Sequence, residues 1–231
     1  MQDLKQDMRS AFANPAAVAS YAEDTPRRVP GLADLHRMTM LLLSEQAPQA
    51  AHILVIGAGG GMELKAMAEA QRKWMFTGVD PSTAMLDLAR RNIGPLSDRI
   101  ELIEGIVDAA PPRLFDGAVC LLTLHFLDSR ERLRTLKEIR RRFRPDARLV
   151  VAHHSVPNGG AERWMARSAA FADRGSIDWE KARASAARMA VLPLLSVAQK
   201  EALLCDAGFS DVELFYAAFS FRGWVATARA H

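Results

Sequence analysis

Glycines at alternate positions, followed about two dozen residues later by an aspartate, carry the clearest chemical signal in the chain. The glycines are Gly57, Gly59 and Gly61, and the aspartate is Asp80. Because glycine has no Cβ, its backbone adopts positive φ and lets a ligand lie directly against it. Backbone N–H groups at a following helix start hold a carboxylate or phosphate. An ionised aspartate is acceptor-only, which suits both hydroxyls of a ribose. The pattern predicts a site for a ligand that contains a nucleoside.

Two strands and a helix must position these residues. Four apolar residues, Ile53 to Ile56, predict a buried strand before the glycines, and Met62 begins a predicted helix. A second predicted strand, Trp74–Asp80, ends in the aspartate, and in a β-α-β unit that end lies beside the first glycine loop. The alternatives are a tight turn without a ligand, and an Asp80 that merely caps helix Pro81–Asn92, with Pro81 in its first turn.

The rest of the chain alternates between strand and helix patterns. Residues 1–50 and the insertion 156–195 are predicted to be helical. Further strands are predicted at Ile100–Gly105, Gly117–Leu122 and Leu149–His154, a helix at Val197–Ala207, and last strands at Val212–Phe219 and Gly223–Arg229, with a turn near Arg222 and Gly223. The pattern indicates an α/β protein with a parallel sheet.

Composition narrows the class of protein. The chain has 231 residues, 49% of them hydrophobic, and a formal net charge of +3. No run of about 18 apolar residues predicts a membrane span, and the first residues lack the apolar segment of a signal peptide. The two cysteines, Cys120 and Cys205, give no disulfide framework and favour a cytoplasmic protein.

Several stretches together resemble a known family. The chain resembles class I S-adenosylmethionine (SAM)-dependent methyltransferases, and within them the carboxy-SAM synthase group, which is also described as tRNA uridine-modifying. The stretches that carry this resemblance are the G-x-G-x-G loop, Asp80, Arg28-Val29-Pro30-Gly31, Leu122–Leu127, Ala207-Gly208-Phe209 with Val212–Phe215, and Phe219-Ser220-Phe221. It implies a Rossmann-like seven-stranded, mostly parallel sheet with an antiparallel C-terminal hairpin. It also implies one domain, 1–231, with a helical cap from 1–45 and 156–195.

The resemblance also implies a function. The chain would transfer a methyl group from SAM to a small or medium-sized nucleophile, as an enzyme of EC class 2.1.1 without a metal. The residues implied to contact SAM are Gly57, Ala58, Gly59, Gly61, Asp80, Pro81, Ile106, Val107 and Leu122. Ile106 and Val107 would flank the adenine. The acid that many relatives place directly after Gly105 comes later here, at Asp108.

Departures from the group argue against carboxy-SAM synthesis. Leu32 stands where the group has a tyrosine that holds the extra carboxylate, and its arginine position falls near Ser185, with Arg183 and Arg188 only nearby. A leucine cannot donate a hydrogen bond to a carboxylate. Val55 replaces an acid that orients the SAM amino group in many methyltransferases, which predicts a lower affinity for SAM.

Two residues, His125 and Tyr21, are candidates for a role in catalysis. His125 follows the fourth strand and is a candidate general base, the alternative being a hydrogen-bonded residue at a helix start. Tyr21 is a candidate to reach over the SAM site, the alternative being ordinary packing. His153 and His154 are adjacent on a strand and point to opposite faces, so they do not form a metal site; we expect one to pack and the other to be solvated.

The sequence leaves several alternative functions and partners open. Arg140, Arg141 and Arg142, with Arg144, predict a solvated helix face, with RNA contact as the alternative. The alternative functions are a SAM-derivative synthase, a tRNA-modifying enzyme and a SAM-binding protein without catalysis. Met62 at the third glycine position of the dinucleotide fingerprint argues against an NAD-dependent reductase. A small-molecule substrate is the expected partner, and a homodimer is retained as an alternative assembly.

Overall fold

One seven-stranded sheet organises the protein. The computed structural model describes residue 12, residues 18–156 and residues 160–229. The strands lie in the order β3-β2-β1-β4-β5-β7-β6. They are β1 His52–Ile56, β2 Met75–Asp80, β3 Ile100–Glu104, β4 Phe115–Leu121, β5 Phe143–His154, β6 Ser210–Ala218 and β7 Phe221–Thr227. Strands β1 to β5 pair in parallel, whereas β7 is antiparallel to both β5 and β6. The expected Rossmann-like α/β fold with an antiparallel C-terminal hairpin is confirmed.

Helices cover both faces of the sheet. The described residues form α1 Tyr21–Arg28, α2 Leu32–Ser44, α3 Met62–Ala70, α4 Thr83–Ile93, α5 Ser129–Arg141, α6 Ala161–Ala172, α7 Trp179–Met189 and α8 Val197–Asp206. Ile53 and Val55 of β1 pack with α2, α3 and α4 on one face, and Leu54 and Ile56 pack with α5 and α8 on the other. The alternation follows from the two-residue period of a strand, which exposes both faces of a central strand to apolar helices.

The N-terminal helices and the insertion meet each other. Helix α1 packs against α6, and α6 packs against α7, so residues from both predicted parts of the cap are neighbours. Gly31, with φ of 63°, is the N-cap of α2. Within the segment 1–50 that is predicted to be helical, residues 1–11 and 13–17 lie outside the described residues.

Two sequence predictions about element ends are wrong. The turn between β6 and β7 lies at Phe219 and Ser220, since Ala218 pairs with Phe221. Gly223 belongs to β7, where an added Cβ would lie 3.0 Å from the Phe215 ring, so its small size serves close packing. Helix α4 begins at Thr83 with Ser82 as N-cap, because the Ser82 hydroxyl accepts a hydrogen bond from the Met85 N–H. Pro81 precedes the helix, and Asp80 is not its cap.

Candidate functional site

The glycine loop is fastened to the carboxyl end of β2. The backbone N–H groups of Gly57 and Ala58 both donate to the carbonyl oxygen of Val79, at 2.9 and 3.0 Å. Gly57, Gly59 and Gly61 all have positive φ, of 70°, 48° and 73°. That conformation favours glycine, so the loop turns sharply from β1 into α3 at the edge where the parallel strands end.

Packing within the protein explains part of the glycine pattern. A Cβ on Gly57 would lie 2.0 Å from the Thr123 hydroxyl, so any side chain there would collide with the segment that follows β4. A Cβ on Gly59 would meet softer neighbours, the Met85 methyl at 3.3 Å and the Tyr21 hydroxyl at 3.8 Å. A substitution at Gly59 can therefore reveal the effect of a side chain on ligand binding separately from its effect on folding.

Asp80 is joined directly to the glycine loop. Its Oδ2 accepts the Gly59 N–H at 2.9 Å, and its Oδ1 accepts the Ser82 N–H at 2.9 Å. Burial raises the pKa of this carboxyl, and the two N–H donors oppose that rise. Each oxygen of a carboxylate has a second lone pair. The side chain can therefore keep both backbone bonds and still accept hydrogen bonds from ribose hydroxyls.

A second carboxyl group, which the sequence reading missed, lies at the same loop. Glu63, in the first turn of α3, is 9% exposed, and burial raises its pKa to about 8. The charge of Asp80 contributes to the raised pKa of Glu63, and neither residue forms an ion pair with any residue that the structure describes. An acid in a helix first turn is ordinarily explained by the helix dipole, so its sequence position gave no functional signal.

Tyr21 covers the glycine loop. Its hydroxyl is the atom nearest Gly59 from α1, and its ring edge would be 3.3 Å from a Cβ on Gly60. Burial and the nearby Glu63 carboxyl raise the pKa of Tyr21. Phe12 packs edge-on against Tyr21 and Phe126, and its carbonyl oxygen accepts the Ser82 hydroxyl. The aromatic side chain therefore lies over the surface that a ligand on this loop would contact.

The segment after β3 borders the opposite side of Asp80. The Gly105 N–H donates to the Asp80 carbonyl, Val107 is 1% exposed, and Ile106 is 50% exposed. Both carboxylate oxygens of Asp108 accept from one Arg134 nitrogen at 2.9 Å. Asp108 is thus engaged by α5, and Ile106 presents the exposed apolar surface. Pro81 is exposed beside it.

The carboxyl end of β4 carries an unusual backbone. Leu122 has φ of 56°, a region that non-glycine residues rarely adopt, and its N–H donates to the Ala152 carbonyl at 2.6 Å. The conformation turns the chain from β4 into a short 3₁₀ turn, Leu124–Phe126. The outlier lies where β4 meets the crevice, and strained residues of this kind concentrate at functional sites.

His125 lies inside this 3₁₀ turn and is buried. Its ring centroid is 4.2 Å from that of Phe126 and 4.9 Å from that of His154. Burial, with the charges of His154 and Arg132, lowers its pKa well below the usual range. The imidazole is therefore neutral near pH 7, and its Nδ1 has no partner among the described residues. A neutral imidazole is the form that accepts a proton.

His153 and His154 are both buried, which corrects the expectation that one is solvated. Strand β5 is covered on both faces, so each face offers a packed environment: His154 bonds to the Ser220 hydroxyl at 2.8 Å and stacks on Phe221, and His153 packs against Trp224. Among the described residues, no group of three or more histidine, cysteine, aspartate or glutamate side chains is arranged to hold a metal ion.

Two cationic side chains are buried near His153. Lys200 of α8 and Arg132 of α5 are fully buried, and the Lys200 ammonium has no hydrogen-bond partner within the described part of the chain. Burial lowers the pKa of Lys200 to about 7. Arg132 is held by the Leu127 and Pro193 carbonyl oxygens, but its Nη1 is also without a partner there.

Leu32 is buried, whereas the arginines of the cap that were considered as carboxylate partners are exposed. Leu32 is 5% exposed and lines a cavity of about 300 Å³ between α1, α2 and α3, where His36 and Lys65 are the nearest basic residues. Arg183 and Arg188 of α7 are exposed. Arg28 pairs with Asp24 at 3.5 Å, with its side chain 69% exposed.

The arginines at the end of α5 have partners within the protein. Arg140 donates to the Gly208 and Arg229 carbonyl oxygens, and Arg141 and Arg142 both pair with Glu138.

No helix among the described residues has the length and apolarity needed to cross a bilayer.

A family model described as a methyltransferase domain matches residues 53–146. The chain is 29% identical over 137 residues, 59% of its length, to a carboxy-S-adenosyl-L-methionine synthase of Campylobacter lari, and this match spans 58% of the relative.

Solved structures share the fold. An O-methyltransferase family protein from Burkholderia thailandensis superposes with a TM-score of 0.66 and 14% identity, over 96% of this chain and 63% of that one. Human N-acetylserotonin methyltransferase in complex with SAM superposes with a TM-score of 0.64 and 12% identity, over 96% of this chain and 59% of that one. The chain thus spans about three fifths of the length of these proteins.

Proposed function

We propose that this chain, which carries a class I SAM-dependent methyltransferase domain, transfers a methyl group from SAM to a small or medium-sized nucleophile. The observation that supports this best is the bond between the Gly59 N–H and the Asp80 carboxylate. It would bring a glycine backbone and an acceptor for the ribose hydroxyls together at the edge where the parallel strands end. Residues 1–231 would form a single domain, with 1–45 and 156–195 as its cap.

The residues present fit SAM. Asp80 would accept the ribose hydroxyls, Ile106 and Val107 would flank the adenine, and Gly57, Ala58, Gly59 and Gly61 would lie along the rest of the molecule. Pro81 and Leu122 would complete the walls on the β2 and β4 sides. The described apolar and backbone surface suits a nucleoside, and the two carboxyl groups suit a ligand with positive charge. When bound, SAM supplies an electrophilic methyl group on its sulfonium.

The protein's own part in such a reaction is mainly alignment and exclusion of water, which contributes several kcal/mol through orientation alone. A base is needed only for an acceptor that is protonated and poorly acidic. His125 is our candidate because it lies after β4, and its lowered pKa makes it a weak base. Tyr21, which lies over the loop, would close the site from the cap side.

Mass spectrometry of the ligand carried through purification tests the proposal, backed by calorimetric titration of SAM. SAM, S-adenosylhomocysteine, carboxy-SAM and NAD have distinct masses. We expect SAM or S-adenosylhomocysteine. A bound NAD, or no measurable affinity for SAM, would overturn the proposal. Incubation with labelled SAM and candidate acceptors then separates an enzyme from a SAM-binding protein without catalysis.

Carboxy-SAM chemistry is the second candidate, and the Campylobacter lari relative is the observation that favours it. Against it stand the buried Leu32 and the exposed Arg183 and Arg188, which leave the extra carboxylate without the expected donors. Transfer to RNA draws no support from Arg140, Arg141 and Arg142, because each is bonded within the protein.

A further inference from the structure

We propose that the cavity between α1, α2 and α3 is a second ligand site, which takes a small, largely apolar molecule with one carboxylate group. Its volume is about 300 Å³, at the lower end of the range of small-molecule sites, which is about 300–1,000 Å³. None of the residues proposed to contact SAM lines this cavity. The inference therefore goes beyond the proposed function and does not depend on it.

The walls of the cavity come from one face of each of three helices. Residues three or four positions apart share a helix face, and Met62 and Lys65 of α3 line the cavity in this way, as do Leu32 and His36 of α2. Most of the described lining residues are apolar, and these are Ala22, Pro26, Leu32, Ala33 and Met62. Such walls suit the apolar body of a ligand.

His36 is the buried polar side chain that indicates a ligand. It lines the cavity, it is only 8% exposed, and its ring has no hydrogen-bond partner among the residues that the structure describes. Burial lowers the pKa of His36 to about 4, so at pH 7 the imidazole is neutral and carries one N–H donor. A buried donor without a partner costs free energy. A carboxylate in the cavity would supply that partner.

Lys65 supplies the positive charge. It is an exposed residue of α3 that lines the cavity, and its side chain forms no ion pair or hydrogen bond with the described part of the chain. None of the described lining residues is acidic. The cavity thus combines one cation, one imidazole donor and apolar walls. This arrangement is complementary to a carboxylate on an apolar body, since charge-assisted hydrogen bonds are the stronger ones.

The cavity is adjacent to the glycine loop but separate from it. Asn92 of α4 lines the cavity, and its side-chain amide donates to the Gly60 carbonyl oxygen at 2.8 Å. The bond between Gly59 and Asp80, to which SAM is assigned, involves no residue that lines the cavity. We therefore expect the carboxylate ligand and SAM to be bound at the same time.

The test compares two probes of nearly the same shape, phenylacetate and phenylacetamide, of which only the first is charged. The variants are Lys65→Met, which keeps an unbranched chain, His36→Phe, which keeps an aromatic ring, and Ala33→Leu, which enlarges an exposed residue on the cavity wall. Lys137→Met and Ala198→Leu are the matched controls, because both residues are exposed on helices that do not line the cavity. Titrations followed by protein NMR measure each dissociation constant.

The unaltered protein should bind phenylacetate with a dissociation constant in the millimolar range or tighter. It should bind phenylacetamide at least about fivefold more weakly, and Lys65→Met should abolish this preference. His36→Phe should weaken phenylacetate about threefold or more because the N–H donor is lost. Ala33→Leu should weaken both probes about tenfold or more by filling the cavity. Neither control should change an affinity by more than about twofold.

Three results would each overturn the proposal: no millimolar binding of phenylacetate by the unaltered protein, equal affinity for the two probes, or an unchanged phenylacetate affinity in His36→Phe or Ala33→Leu. Saturating SAM should leave phenylacetate bound. Displacement of the probe by SAM would locate it at the glycine loop and would also overturn the proposal. A protein that does not bind SAM contradicts the proposed function alone, so the two failures are distinguishable.

Discussion

The backbone N–H of Gly59 donates to Oδ2 of Asp80 across a distance of 2.9 Å. This bond joins the loop after β1 to the end of β2, so the two features that the sequence pattern pairs are physically one unit. A change at either residue therefore affects the shape of the loop as well as its contacts.

Replacing Asp80 with alanine should weaken the binding free energy of SAM by about 2–3 kcal/mol, because charge-assisted hydrogen bonds to a buried ligand are lost. The loss should apply equally to 5′-methylthioadenosine, which has the same ribose. Calorimetry on both ligands measures it. An unchanged affinity in a folded variant would reduce Asp80 to a residue that only fastens Gly59 and Ser82 to the end of β2.

Gly59→Ala should lower SAM affinity at least tenfold and cost about 1 kcal/mol of unfolding free energy, since φ of 48° disfavours a Cβ. Gly94→Ala is the control: Gly94 has φ of 52°, and its Cβ would meet nothing within 4 Å. It should also lower the stability, because its φ and ψ of 52° and −121° disfavour a side chain, and it should leave SAM binding unchanged. Chemical denaturation and calorimetry separate the two effects, and normal SAM binding by Gly59→Ala would mean that no ligand lies on the loop.

The protein should prefer SAM over carboxy-SAM by about tenfold to a hundredfold. The extra carboxylate would meet Leu32 instead of a donor, and an unsatisfied buried polar group costs about 1–3 kcal/mol. Competition binding to the ligand-free protein measures the ratio. Tighter binding of carboxy-SAM would refute this preference and would direct attention to Lys65 or Arg28 as the carboxylate's partner.

Lys200→Met should stabilise the protein by about 1–3 kcal/mol, because it removes a buried amine without a partner and keeps an unbranched apolar chain. The folded-state pKa of Lys200 is lowered from 10.5 to about 7, so the unfolded state binds more protons between those values and the penalty is full below pH 7. The gain should therefore be largest at pH 6 and shrink as the pH rises toward 10.

Unfolding free energies at pH 6 and pH 9 measure this difference, with Lys181→Met on the exposed part of α7 as the control. A destabilised Lys200→Met variant at pH 6 would mean that the amine has a favourable partner in solution.

The sequence predicts that the glycine loop and Asp80 lie together because its signals are local. An apolar run before glycines and an acid at the end of a strand reflect the backbone needs of the residues themselves, and the structure brings Gly59 and Asp80 together as expected. The turn between β6 and β7 was misplaced because Gly223 serves packing against Phe215, and glycine alone does not distinguish a turn from a crowded strand.

Burial of charged residues could not be read from the chain. Glu63 and Lys200 each stand in the first turns of helices, where charged residues are ordinarily solvated. Their burial depends on segments distant in sequence that pack against these helices. The burial of both His153 and His154 could not be predicted for the same reason, because the covering of both faces of β5 depends on tertiary packing.

The covering of the glycine loop by Tyr21 and Phe12 has a kinetic consequence. Phe12 touches Phe126 on the β4 side and is bonded to Ser82 on the β2 side, so these aromatic contacts bridge the mouth of the crevice. We expect a molecule that lies against Gly59 to exchange with solvent faster when these contacts open. Under the proposed function, release of the product should then depend on how often these aromatic side chains separate.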